Sequence, residues 1–390
     1  MNITPIYKIK FSDFQYFFFA LFVFCSYIQF PFTKFASLIV PCFLCFLLYN
    51  LDVIFKGFKK DSFLMYALYG IHLGLCIFLS AFGDAELSNV IRFLLILIML
   101  PLCFSFDCEE EKKKRLYKIF IYLTYVKVFS LIVIYIVYLR VLDYAPFRIY
   151  ASLHSGDIYS VHSKYLLRIQ VPGNALVIDA FLIDLLLKKK LTKRNIYLGI
   201  GVLLCGNFAF IMGAFFMIIY IYISRTFSKR KNVNKIPIYI FLLLIALFSI
   251  APYFLNTMEE KSHGSNELRN EQIPYLLSEN IITGNGLGNI VHGRTVRRNY
   301  EVMSRNGYFE FQSLYIINQI GFLGYFIFII LTFYLVYYRQ KKLEYIVCYF
   351  IYLLYAFFNP YCFDTTHMLF GLLLAIPISK VSNEVGGIKR

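Results

Sequence analysis

Long apolar runs separated by short polar stretches recur along the whole chain. A bilayer core is crossed by about 20 apolar residues of helix. On that measure the pattern predicts spans at 12–31, 35–55, 62–82, 88–106, 117–141, 173–187, 195–208, 209–224, 236–254, 311–338, 344–361 and 366–379. The stretch 195–224 is long for one span and short for two, and Gly206, Asn207 and Gly213 interrupt its middle. Glycine is tolerated where membrane helices bend or pack closely. The expected fold is all-α: one integral membrane domain over 1–390, with about twelve transmembrane helices in a polytopic bundle.

Charge supports this division. With two passes in 195–224 and both termini cytoplasmic, 26 of the 39 Lys and Arg fall in inner segments. A single pass would turn the basic run Arg225–Lys235 outward, against the positive-inside rule. The first span reads as a signal-anchor, because no small-residue cleavage site follows it. Of the 390 residues 59% are hydrophobic and only 16% charged, where soluble domains run near half and a quarter. That excludes a cytosolic enzyme, a disordered chain and a nucleic-acid-binding domain. The net charge of +16 is then topological, since the cations lie between apolar runs. The nine cysteines sit in spans or at their ends, with no CxxC pair and no metal spacing.

Two outer segments are long, 142–172 and 255–310, and long loops are usually functional. The second carries EEKSHGSNELRNEQIPYLLSEN, which reads as an amphipathic helix, then ITGNGLGN and an arginine-rich stretch. Arg294, Arg297, Arg298 and Arg305 face a single acid, Glu301, between 290 and 309. Positive-inside pressure disfavours cations there. The planar guanidinium fork matches phosphate oxygens and keeps its proton, so a lipid-carried diphosphate is one ligand for the cluster. A solvated face or anionic headgroups is the other reading. Gly284, Gly286 and Gly288 form a backbone device, either a close approach to a ligand or helix or a tight turn at the membrane rim. Glu310, at the outer mouth of the span beginning at Phe311, stands where a general base belongs, or in an ion pair with Arg305. Arg168, Pro172, Gly173 and Asn174 occupy the mouth of the sixth span, with Asp179 deeper. Lys127 is intramembrane and a possible partner for Asp179. Isolated histidines, including the span-buried His72, carry little weight.

The order ITGNGLGN, then Glu310-Phe311-Gln312-Ser313, then Ile320-Gly321-Phe322-Leu323-Gly324 resembles bacterial O-antigen polymerases, a family related to O-antigen ligases. The ligases carry a His-Asn pair where this chain has Glu310-Phe311, so the likeness leans to the polymerase. The Ser-Arg pair common after the basic inner loop is missing, because that region reads CGNFAFIMG. The resemblance implies a membrane glycosyltransferase of the kind that uses lipid-phosphate donors. It would sit in the bacterial inner membrane and work at the periplasmic face in lipopolysaccharide O-antigen biosynthesis. The donor and acceptor would be undecaprenyl-diphosphate-linked oligosaccharides, with a chain-length regulator protein as partner. No metal, cofactor or nucleic acid is expected. Glu310 would take the acceptor proton, and Arg168, Arg294, Arg297, Arg298 and Arg305 would hold the diphosphate. A ligase or a related lipid-linked glycan transferase, and a flippase for lipid-linked oligosaccharide, are the rival readings.

Overall fold

The computed structural model describes residues 13–57, 60–143, 145–154, 156–161, 163–228, 265–277, 280–291, 309, 311–357, 359 and 363–375. The chain is an all-α membrane protein. Five described helices are long and apolar enough to cross a membrane: Ser62–Ser80, Leu87–Phe104, Glu110–Val141, Phe208–Arg225 and Gln312–Gln340. By packing, it divides into two compact units. One comprises Met1–Phe58, Ser105–Ala214 and Ile376–Arg390, the other Lys59–Phe104 and Phe215–Ala375.

In the first unit α1 (Phe14–Ile28) lies on α2 (Ala36–Leu48) through interleaved phenylalanines. Phe22 meets Phe43 at 4.7 Å and Phe19 meets Phe46 at 5.3 Å between ring centroids, separations at which aromatic pairs attract. After α3 (Leu51–Gly57), this unit continues with α6 (Glu110–Val141), a short α7 (Ala145–Leu153) and a hairpin of β1 (Asp157–Val161) and β2 (Ser163–Gln170). Glu110 and Glu111 in the first turn of α6 complement the positive end of its dipole. The loop expected over 142–172 is therefore built from a helix and two strands. Tyr159 stands directly opposite Arg168 across the ladder. The unit ends with α8 (Ala175–Lys188), α9 (Lys193–Cys205) and the start of α10 (Phe208–Ser228). Every residue of α8 from Ala175 to Leu186 is buried, including the two carboxylates Asp179 and Asp184.

The stretch 195–224 forms two helices. Gly206 takes the left-handed conformation (φ +61°), and the Asn207 side chain accepts the Ala209 N–H at 3.0 Å, starting α10. At the opposite end of α9, Thr192 and Asn195 close a capping box. Asn195 also donates to Asp184 at 2.8 Å, and Arg194 lies 3.2 Å from the same carboxylate. The Tyr117 hydroxyl donates to it as well. Asp184 is fully buried, so these three partners carry its charge.

The second unit holds α4 (Lys60–Ser80), α5 (Leu87–Phe104), α11 (Ser265–Leu276), α12 (Gln312–Gln340), α13 (Leu343–Phe357) and α14 (Thr365–Leu374). Helix α12 packs on α4, α5 and α13, and α14 packs on α5.

Replacing Asp184 with Ala strands Arg194 and the Asn195 amide. The expected loss is about 3 kcal/mol, read as a lowered unfolding midpoint of the detergent-solubilised protein. An unchanged midpoint would remove the network from the stability account.

Candidate functional site

Helix α12 is broken. Gly321 has φ +72° and ψ +167°, a backbone region essentially restricted to glycine. A break in a membrane helix frees backbone donors and acceptors, each costing several kcal/mol if left unpaired in apolar surroundings. The segment 281–286 supplies the partners. Ile281 and Ile282 accept the N–H groups of Phe322 and Leu323 at 2.9 and 3.1 Å. Asn285 and Gly286 donate to the carbonyls of Asn318 and Gln319 at 2.9 and 3.1 Å. The carbonyl of Ile320 accepts from His72 Nε2 at 2.7 Å.

The three sequence-predicted loop glycines lie within this interlock, and each meets a different helix. At Gly284 (φ +88°) an added Cβ would come 2.5 Å from the Gly321 nitrogen of α12. At Gly286 it would come 2.6 Å from Ser80 N of α4, and at Gly288 2.7 Å from Val90 N of α5. The backbone device is therefore a close approach to helices. Gly324, the second glycine of the Gly-x-x-Gly, is needed for another reason, because an added Cβ would collide with the His72 ring.

The first segment of α12 presents a buried polar strip. Asn318 donates to Leu276 O at 3.1 Å, and Gln319 donates to Asn289 O at 3.1 Å. Ser313 is fully buried, and its hydroxyl has no partner among the described residues. Phe311 at the N-cap position makes no side-chain cap hydrogen bond.

Glu310, Arg294, Arg297, Arg298 and Arg305 lie outside the described residues. Both flanks of the segment that carries them are described. Asn289 is held by Gln319, and the Phe309 ring packs on Tyr315 at 4.6 Å. Tyr315 and Gln319 are one turn apart, about 6 Å along the axis. The two described flanks, Asn289 and Phe309, thus rest on the same stretch of α12.

Arg168 belongs to the first unit, and its surroundings are distinct. Its guanidinium lies 5.5 Å from the Tyr159 ring centroid, and the Gln170 amide oxygen accepts from its Nε at 3.2 Å. Its stem rests on Gly206, where a Cβ would come 2.5 Å from Arg168 Cγ. Arg148 approaches the same ring at 5.9 Å and pairs with Asp157 at 3.4 Å. Burial raises the Tyr159 pKa, Arg168 pulls it the other way, and the phenol stays neutral near pH 7. Arg168 is a half-buried cation whose partners among the described residues are neutral.

Lys127 does not pair with Asp179. Its ammonium donates to the carbonyls of Tyr27 at 3.2 Å and Pro172 at 3.1 Å, tying α6 to the end of α1 and the turn before α8. His72 and Asp184 are the structurally important residues that sequence reasoning underweighted. The signal for His72 was its spacing of four from Cys76 and again from Ser80, which lines one face of α4.

Comparison with protein-family models, curated proteins and solved structures finds no match to the chain.

Gly284→Ala and Gly321→Ala should each cost roughly 2–4 kcal/mol, from backbone strain plus overlap. Gly74→Ala, with nothing within 4 Å of the new methyl group, should be neutral or stabilising by up to about 1 kcal/mol. Thermal unfolding in one detergent checks all three, and equal midpoints would contradict the interlock.

Proposed function

We propose that the protein is an O-antigen polymerase with about twelve membrane spans and both termini cytoplasmic, working at the periplasmic face of a bacterial inner membrane. It transfers a glycan chain from undecaprenyl diphosphate to the next lipid-linked repeat. The observation that carries this reading is the anchoring of both flanks of the arginine-rich segment on one turn of α12. That turn follows the N-terminus of α12 and the buried Ser313 hydroxyl, which has no partner among the described residues. In sequence, Arg294, Arg297, Arg298 and Arg305 fall between these two flanks, and their guanidinium donors match the oxygens of a diphosphate.

In the proposed reaction the acceptor hydroxyl oxygen attacks the anomeric carbon of the donor chain. The bond from that carbon to the diphosphate oxygen breaks, and undecaprenyl diphosphate leaves. Glu310 takes the hydroxyl proton as general base. Arg294, Arg297, Arg298 and Arg305 stabilise charge on the departing diphosphate. Arg168 serves as a preorganised anion ligand on its own geometry, since its contacts among the described residues are neutral groups that orient the guanidinium.

The filled break in α12 weighs against a transporter. Broken-helix transporters use unwound carbonyls to coordinate ions. Here the carbonyls of Asn318, Gln319 and Ile320 are already occupied by protein donors. Glu310 in place of the ligase histidine weighs against a ligase.

Glu310→Gln should abolish long-chain glycan while a core bearing one repeat still reaches the surface. Arg298→Ala and Arg305→Ala should do the same without loss of membrane insertion. Each should lower turnover roughly 100-fold, the usual cost of one charge-stabilising donor. Electrophoretic ladders of surface glycan read the outcome. Normal ladders remove the assigned roles, and absence of any exported repeat favours the flippase.

A further inference from the structure

We infer that His72 is a positioning residue for α12: its Nε2–H latches the carbonyl of Ile320 at the break and so fixes where the outer segment Gln312–Ile320 sits. A carbonyl oxygen only accepts, so at 2.7 Å the ring nitrogen must carry the proton, and the neutral tautomer protonated there suffices. The ring is buried and seated where Gly324 leaves room. Four residues on, the Cys76 sulfur lies 3.5 Å from the same nitrogen, and its thiol faces the Thr283 carbonyl at 4.0 Å. A further four residues on, the backbone of Ser80 abuts Gly286. One face of α4 therefore holds the break, the start of the glycine loop and its middle.

The N–H groups of Phe322 and Leu323 and the carbonyls of Asn318 and Gln319 find backbone partners in the loop, whereas the Ile320 carbonyl meets a side chain. A residue that fills the same space without a donor leaves that carbonyl unpaired, and opening of the break relieves it. The latch then matters for catalysis, because α12's outer segment carries Ser313 and follows directly from Glu310. This last step rests on the polymerase reading. The latch itself does not.

The test uses full-length protein in native membranes, with two readouts. Modification of Cys76 by N-ethylmaleimide, mapped by mass spectrometry, reports the latch, and the glycan ladder reports the chemistry. His72→Phe fills the pocket and donates nothing. It is expected to raise Cys76 labelling roughly tenfold, as when an opening equilibrium loses one buried hydrogen bond, and to shorten the ladder at equal protein abundance. His72→Gln keeps an N–H donor and should move both readouts back toward wild type. Gly324→Ala, which crowds the imidazole, should behave like His72→Phe. The inference is overturned if His72→Phe leaves Cys76 protected, if it leaves the ladder full, or if His72→Gln recovers no better than His72→Phe. Wild-type protein that builds no long chains from diphosphate-linked repeats would overturn the polymerase reading instead, while Cys76 labelling would still report the latch.

Discussion

A hydrogen-bond donor or acceptor released from a helix inside an apolar medium has no water to turn to. That constraint organises the second unit. Gly321 breaks α12, and the N–H groups of Phe322 and Leu323 and the carbonyls of Asn318, Gln319 and Ile320 find partners on α4 or on the glycine loop. The break and the loop therefore require each other. Without segment 281–286 the broken helix is left with unpaired carbonyls, and without the break the loop loses the groups it binds. Glycines at 284, 286 and 288 are the means of approach, since any side chain there would overlap helix backbone. The same stretch of α12 also holds Asn289 and Phe309, the described residues on either side of the arginine-rich sequence.

The first unit obeys the same rule with side chains. Lys127 donates to two carbonyls, and Asp184 accepts from a tyrosine, an arginine and an asparagine. These groups are held by what surrounds them. Arg168 differs, because its contacts among the described residues, the Tyr159 ring and the Gln170 amide, are neutral. A guanidinium oriented by neutral groups keeps donors for an anion, which is why it stays in the functional account.

The positions of the described helices were legible because hydrophobicity persists along them regardless of tertiary detail, while the span expected at 236–254 lies outside the described residues. The glycine and asparagine interruption in 195–224 gave away the turn at Gly206. The glycine motif was visible as a backbone device, but its target was not, because the contacts of Gly284 with α12 cross more than thirty residues of sequence and those of Gly286 with α4 about two hundred. His72 was hidden for the same reason, since a lone histidine in an apolar run announces no partner. The hairpin at 157–170 was read as irregular loop: its strands are short and its alternation is interrupted at Val161, where the register shifts. The proposed pairing of Lys127 with Asp179 failed because backbone carbonyls at the ends of α1 and before α8 satisfy the ammonium first.

The central claim is that a diphosphate-linked glycan is consumed at the outer face as chains grow. Its most direct measurement places the purified protein in proteoliposomes with undecaprenyl-diphosphate-linked repeat units. The account predicts glycan lengthening by whole repeats, with one molecule of undecaprenyl diphosphate released for each bond formed. Movement of intact lipid-linked repeat across the bilayer, with no lipid diphosphate released and no lengthening, would contradict it.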